Sequence, residues 1–158
     1  MIGLSTKGKY GIKAMFELAS RYGEGPVAIR DIAERHVIPM PYLEQLLVKL
    51  KRAHLVESIR GPKGGYVLKK PADQIRIGDI VRVLEGPIGL CDCYVSDEAC
   101  DIVDRCVTRL FWKRMSRKIE EVFDQATLYD LISEKPITAV PPAVPEPEPH
   151  GSASEDGT

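Results

Sequence analysis

Between residues 28 and 68 the chain runs through two short amphipathic segments on a tight turn and then, with no spacer, two strand-like runs around a glycine-rich tip. In VAIRDIAERHVIPMPYLEQLLVKLKRAHLV, Ile29, Ile32 and Ala33 share one side of a helix over about 28–36. Leu43, Leu46, Leu47 and Leu50 share one side of a second helix over about 41–53. VIPM is the turn between them, and Pro41 suits the first helical position, where an amide N–H would have no partner in any case. In LVESIRGPKGGYVLKK, Val56, Ser58 and Arg60 alternate with Glu57 and Ile59, GPKGG turns the chain, and Tyr66, Val67 and Leu68 return, which is a β-hairpin. Two helices on a tight turn followed at once by a basic-tipped hairpin form a winged helix. The glycines do not make a phosphate loop, because GPKGGY lies between two strands and lacks the Gly-Lys-Ser/Thr order opening a helix.

The flanking segments extend this core. STKGKYGIKAMFELASRYG places Ile12, Met15, Phe16 and Ala19 at helical spacing, with Ser5 or Thr6 as N-cap and Gly23 as a stop. IRIGDIVRVLEG predicts a helix over about 77–85, and CVTRLFWKRMSRKIEEVFDQA predicts one long helix. Along the latter, Trp112, Met115, Ile119, Val122 and Ala126 recur in steps of 3 and 4, flanked by Phe111 and Phe123, an interface stripe of the coiled-coil kind. TLYDLISEK adds a short helix, and PITAVPPAVPEPEPHGSASEDGT is too poor in apolar residues to build a core, so it is expected to be a disordered tail. The expected fold class is therefore mainly α with a small β-hairpin wing: a winged helix-turn-helix with a long C-terminal dimerisation helix. Its divisions are a winged-helix domain over 1–76, a linker helix and cysteine loop over 77–106, a dimerisation helix and short terminal helix over 107–134, and the acidic Pro-rich tail over 135–158.

Charge points to a partner. Residues 1–70 hold 13 Lys and Arg against 6 Asp and Glu, whereas residues 136–158 hold no basic residue and 4 acidic ones, an asymmetry hidden in a net charge of -1. A basic amino-terminal half suits a polyanion. With its leucines inward, the second helix of the pair turns Tyr42, Glu44, Gln45, Val48, Lys49 and Arg52 outward. A helix of that length fits the major groove of double-stranded DNA, where Gln45 can pair with adenine, Glu44 can accept from a cytosine amino group and Lys49 can neutralise phosphate. Arg60 and Lys63 on the wing, and Lys7 and Lys9 at the start of the first helix, extend that surface. The same helix-turn-helix shape can also serve as a protein-protein module. No stretch approaches the roughly 18 apolar residues of a membrane span, and Lys7, Lys9, Lys13 and Glu17 stand where a signal peptide needs an apolar run, so a cytoplasmic protein with no membrane partner is expected. No constellation of nucleophile, base and supporting residue suggests an enzyme.

All four cysteines, Cys91, Cys93, Cys100 and Cys106, fall within sixteen residues, CDCYVSDEACDIVDRC, among five carboxylates. In a reducing compartment such a cluster is a metal or redox site rather than a set of disulfides. The spacing Cys93-x6-Cys100-x5-Cys106 is too open for the paired knuckles of structural zinc, while a loop around an iron-sulfur cluster can use it. Zinc, or thiols that sense by oxidation or exchange, remain open readings. The neighbouring carboxylates would make a cluster there exposed and low in potential.

LSTKGKYGIKAM, YLEQLLVKLKRAHLVESIRGPKGGYVL and the cysteine loop ahead of LFWKRM resemble the IscR-type family of bacterial winged-helix regulators over about residues 1–133. The resemblance implies a homodimeric transcription factor on a near-palindromic operator, sensing through an iron-sulfur cluster or, in some relatives, through other small molecules. It also implies that Tyr42, Glu44 and Gln45 are recognition-helix residues, that Arg60 is the wing contact and that Cys93, Cys100 and Cys106 hold the cluster. The chain departs from the family at the fourth ligand. Where the best known member has a histidine, this chain has Arg109, which cannot ligate; where other relatives have an acidic residue early in the first helix, it has Gly8 and Lys9. His36, His54 and His150 are far from the loop in sequence. Cys91 is the first candidate, with an oxygen of Asp92, Asp97, Glu98, Asp101 or Asp104, or a donor from a partner subunit, as the alternative. Both 2Fe-2S and 4Fe-4S clusters stay open.

The expected function is a homodimeric DNA-binding regulator whose cysteine loop, ordered or released, sets the placement of two recognition helices. A coupling of about 1–3 kcal/mol between such sites changes affinity roughly 5- to 150-fold. Glu44 would disfavour some operators through an unpaired carboxylate. The competing classes are a cluster-free thiol- or small-molecule-sensing repressor, and a zinc or iron-sulfur protein whose winged helix binds a protein partner.

Overall fold

A computed structural model describes residues 3–91, 94, 96 and 106–133. The elements run α1 (Thr6–Ser20), α2 (Ile29–His36), α3 (Met40–Arg52), β1 (Val56–Ile59), β2 (Gly65–Leu68), a single 3-10 turn (Ala72–Gln74), α4 (Ile77–Glu85), α5 (Arg109–Gln125) and α6 (Leu128–Ile132). Among the described residues the mainly helical chain with one two-stranded antiparallel hairpin is the winged-helix architecture expected. Among the described residues no helix is long and apolar enough to cross a membrane.

α1 starts from Ser5, whose hydroxyl accepts from the Lys7 amide at 3.2 Å, and it ends at Ser20, a turn before Gly23. Val37 closes α2 in the left-handed conformation (φ 54), and the Ile38 amide then reaches back to the Ala33 carbonyl at 2.9 Å. That αL residue supplies the tight turn. Pro39 caps α3 and Met40 opens it, so Pro41 occupies the second helical position rather than the first. Both lie in the turn whose N–H groups have no intrahelical acceptor, so the reason for a proline holds. Leu43, Leu46, Leu47 and Leu50 are at most 2% exposed and pack into one cluster with Met15, Leu18 and Ile32. Burying each leucine contributes on the order of 2 kcal/mol.

In the wing, Val56 pairs with Leu68, Glu57 with Val67, Ser58 with Tyr66 and Ile59 with Gly65. Val27 adds an isolated antiparallel bridge to β2: its amide donates to the Tyr66 carbonyl and its carbonyl accepts from the Tyr66 amide, both at 2.9 Å. The approach is so close that a Cβ on Gly65 would lie 2.2 Å from the Val27 carbonyl oxygen. Gly61, at φ +119, makes the turn a side chain would strain.

α4 crosses α1 at Gly11, where a Cβ would lie 1.9 Å from a Leu84 methyl. Glu85 Oε1 accepts from the Ser5 amide (3.0 Å), the Ser5 hydroxyl (2.6 Å) and the Gly8 amide (2.9 Å), capping α1 from the end of α4. Partial burial raises this carboxyl, but those hydrogen bonds and the Lys7 charge outweigh it and hold the group below its ordinary range. α5 is fastened to α4 by Arg82, whose Nη2 donates to Glu120 (3.0 Å) and Asp124 (2.6 Å). The Arg82 guanidinium is raised well above its ordinary value by those partners, Asp124 first. After α5 the chain returns to the winged helix: the Ile77 amide donates to the Ala126 carbonyl and the Leu128 amide to the Ile75 carbonyl, both at 2.8 Å. A reciprocal cap between Thr127 and Asp130 starts α6, and Leu128 is fully buried in the same cluster as α1 and α3. The tail over 135–158 lies outside the described residues.

Replacing Gly65 with Ala should destabilise the protein by about 1–3 kcal/mol, because the blocking atom is backbone that cannot rotate away. The check is a lower urea midpoint at unchanged slope.

Candidate DNA-reading face and cysteine loop

The buried leucine row determines what α3 presents outward. Glu44, Gln45, Lys49 and Arg52 are exposed, and Val48 is 42% exposed between them. Lys7 and Lys9 on α1, and Arg60 and Lys63 at the wing turn, are exposed as well. Tyr42 differs from the outward position expected of it. It is half-buried and meets Tyr10 edge-on, with ring centroids 5.9 Å apart, while Lys13 stands 5.8 Å over the Tyr10 ring. Tyr42 therefore ties the start of α3 to α1, and the fully exposed part of the α3 face begins at Glu44.

α3 and the wing are held as one piece. The Lys51 ammonium donates to the Ser58 hydroxyl of β1. The Leu55 amide donates to the Leu50 carbonyl at 3.0 Å, and the Lys69 amide to the Leu55 carbonyl at 3.1 Å. His54 takes a left-handed conformation (φ 59) at this junction and lies 3.3 Å from the Lys69 ammonium.

A buried acid went unnoticed in the sequence. Glu17 is 2% exposed on the inner side of α1 and meets Arg21 at 2.9 Å, Arg35 at 3.3 Å and His36 at 3.3 Å. His36 is half-buried by that contact. A helical-wheel signal existed, since Glu17 falls among Ala14, Met15 and Leu18. The cluster joins α1 to the end of α2 and so helps set the helix-turn-helix angle.

The cysteine loop departs from α4 at a post: the Leu90 amide donates to the buried Ser116 hydroxyl of α5 at 3.0 Å. Cys91 follows, half-buried, and its carbonyl accepts from the Tyr94 amide at 3.1 Å. At the other end half-buried Cys106 precedes Thr108, the N-cap of α5, with 3.5 Å between Sγ and the Thr108 hydroxyl. The Thr108 hydroxyl, then its amide, then the Arg109 amide and charge lower the Cys106 thiol below its ordinary value. Thiolate is the form that ligates metal. Cys93 and Cys100, and Asp92, Asp97, Glu98, Asp101 and Asp104, lie outside the described residues, as does His150. Among the described residues no three His, Cys, Asp or Glu side chains gather to hold a metal ion. The thiolate bias at Cys106 fits a thiolate-bound group, while Arg109 has no lone pair to give and His36 and His54 are engaged elsewhere.

On α5, Ser116, Glu120 and Asp124 face α4 and the loop. Away from them, Trp112 is 40% and Val122 37% exposed, Phe111 meets Trp112 edge-on at 5.1 Å, and Met115 and Ile119 are half-buried. Ile119 and Phe123 continue into an apolar cleft of about 440 Å³ with Leu4, Val81, Ile88 and Leu90.

Three comparisons bear on this arrangement. A family model described as Rrf2, iron-dependent transcriptional regulator, matches residues 4–134. The HTH-type transcriptional regulator IscR of Sodalis glossinidius is 38% identical over 137 residues, covering 87% of this chain and 82% of that protein. The HTH-type transcriptional regulator CymR of Bacillus subtilis is 45% identical over 130 residues, covering 82% and 89%. The solved structure of CymR, described as the global cysteine regulator of B. subtilis, superposes with a TM-score of 0.71 over 86% of this chain and all of that one. The structure of T. potens IscR gives 0.69 at 43% identity, over 84% and 88%.

The lowered Cys106 thiol means that its alkylation should persist to lower pH than that of an ordinary cysteine. In Thr108→Val, which removes the largest cause, the pH midpoint of Cys106 alkylation, followed by peptide mass spectrometry in metal-free protein, should move upward.

Proposed function

The chain belongs to the Rrf2 family of iron-dependent transcriptional regulators, and from that premise we propose that it is a cytoplasmic homodimer that reads a near-palindromic DNA operator and senses through its cysteine loop. The observation that carries the reading is the polar and basic face of α3, Glu44 to Arg52, held rigidly beside the wing by a fully buried leucine row. In the groove, Gln45 and Glu44 meet base edges, Lys49 and Arg52 meet phosphates, Arg60 and Lys63 follow the backbone from the wing, and Lys7 and Lys9 add charge at the flank. Tyr42 acts as a support behind that face. The half-exposed stripe of Trp112, Met115, Ile119 and Val122 is the surface through which a second copy would bury apolar area, and two-fold pairing would place two α3 helices on successive half-sites. The named functions of the relatives are transcriptional, and no enzymatic activity is assigned.

The likeness to the IscR proteins and the thiolate bias of Cys106 support an iron-sulfur cluster, 2Fe-2S or 4Fe-4S, held by Cys93, Cys100 and Cys106 with Cys91 as the fourth donor. Such a group supplies sensitivity to iron supply and oxidants. The chain's own part is to present thiolates, anchor the loop at Leu90 and Ser116, and carry its ordering into α5. A second reading has its own support: the 45% identity to CymR and Arg109 at the family's histidine position favour thiol-based sensing without a cluster.

An anaerobic assay of iron, zinc and acid-labile sulfide, with the visible spectrum, separates these readings. Iron with matching sulfide is expected in the wild type, with loss or alteration of the spectrum in Cys91→Ala. Zinc or no metal would remove the cluster and favour the thiol reading.

On duplexes selected by the wild-type protein from a random pool, Lys49→Ala should weaken binding evenly across sequences and reduce the salt slope by about one. Gln45→Ala should cost about 1–3 kcal/mol and relax preference at one base position, both read by anisotropy titration.

A further inference from the structure

Tyr94 stands inside the cysteine segment, next in sequence to Cys93, and its amide is bonded to the carbonyl of Cys91. Its ring lies on the backbone of Gly89, where a Cβ would come within 2.9 Å of it. Its hydroxyl leaves the loop altogether and donates to Glu120 Oε2 of α5 at 2.6 Å, a short bond to a carboxylate of the strong kind. The other oxygen of Glu120 accepts from Arg82 Nε at 3.2 Å and Nη2 at 3.0 Å. Glu120 is thus shared between the loop and the guanidinium that joins α4 to α5.

From Arg82 the connection continues without a gap to the DNA-reading face. α4 presses Leu84 onto Gly11 and caps α1 with Glu85, and α1 meets α3 through Tyr10 and Tyr42. The Leu90–Ser116 post holds the first residue of the loop on α5 independently, so a rearrangement of the cysteines is free to act on the Tyr94 contact without detaching the loop.

We propose that Tyr94 is a positioning residue that couples the state of the cysteine loop to the placement of the winged helix, through Glu120 and Arg82. The proposal rests on the reading that this loop is the sensor. With the Tyr94 hydroxyl in place, Glu120 is fixed where both Arg82 nitrogens reach it and α4 is locked on α5. When the cysteines rearrange and withdraw Tyr94, Glu120 loses its fixed orientation, Arg82 retains Asp124, and α4 relaxes against α5 while its grip on α1 persists. The two arrangements of one ion cluster are the bistable element that an effect at a distance requires.

The test uses the full chain and duplexes selected from a random pool. Operator affinity is compared for protein purified anaerobically and for the same protein after chelation and thiol capping with iodoacetamide. The wild type should show a ratio of at least about fivefold between the two states. Tyr94→Phe keeps the ring and removes only the donor, so its ratio should collapse to within about twofold of unity, with the thermal midpoint nearly unchanged. Hydrogen exchange of α4 should respond to loop treatment in the wild type and not in the variant. Glu120→Gln should also narrow the ratio, and adding it to Tyr94→Phe should narrow it no further. A normal ratio in Tyr94→Phe, or additive effects of the two changes, overturns the relay while leaving the loop as sensor. A wild-type ratio near one overturns the sensing reading and the relay together.

Discussion

The structure depends on the burial of one face of α3. Four leucines that are almost wholly out of water define the inward side of a 13-residue helix, and everything that helix presents outward follows by rotation from them. A shift of the inward face by one position would move Gln45 and Lys49 off the outward side. The position of α3 depends in turn on α1, which supplies Met15 and Leu18 to the same cluster and the Tyr10 ring that meets Tyr42.

Around that core the polar contacts decide orientation more than stability. Glu17 orients the end of α2, Glu85 caps α1 from α4, and Arg82 holds α5 on α4. Glu17 is buried, Arg82 is half-buried and Glu85 is exposed, and each joins one helix to another. Part-exposed pairs of this kind add little net stability, but their geometry fixes how the helices sit on one another. Ion clusters therefore act as registry devices, and one whose members are shared with a loop is suited to carry the state of that loop.

Most of the architecture was legible in the sequence because it is written in local periodicity. The leucine spacing of α3, the turn at residues 37–39 and the GPKGG tip each need only a few neighbouring residues to be understood. The exposed residues of α3 from Glu44 onward were legible for the same reason. Tyr42 was not, because its partner lies on α1, and neither was the burial of Glu17 and His36, whose pairing spans 19 positions. α6 looked like a minor addition, yet Leu128 completes the winged-helix core, since the strand-like contacts of residues 75–77 with 126–128 bring it back there. Of the candidate site, Cys106 and Cys91 can be placed at the two ends of the loop, and Cys93 and Cys100 fall outside the described residues.

The sequence by itself determined the identity of the elements, the basic character of the reading half and the concentration of all four thiols in one segment, because periodicity, charge and spacing are properties of neighbours along the chain. Only the tertiary structure decided that the cysteine segment is tied to α5 through Ser116 and Tyr94, and that α5 is tied to α4, and through it to the winged helix, by Arg82. Hydrogen bonds between groups 26 to 42 positions apart carry no local signature, since they exist only once burial of the apolar faces has brought α4 and α5 together.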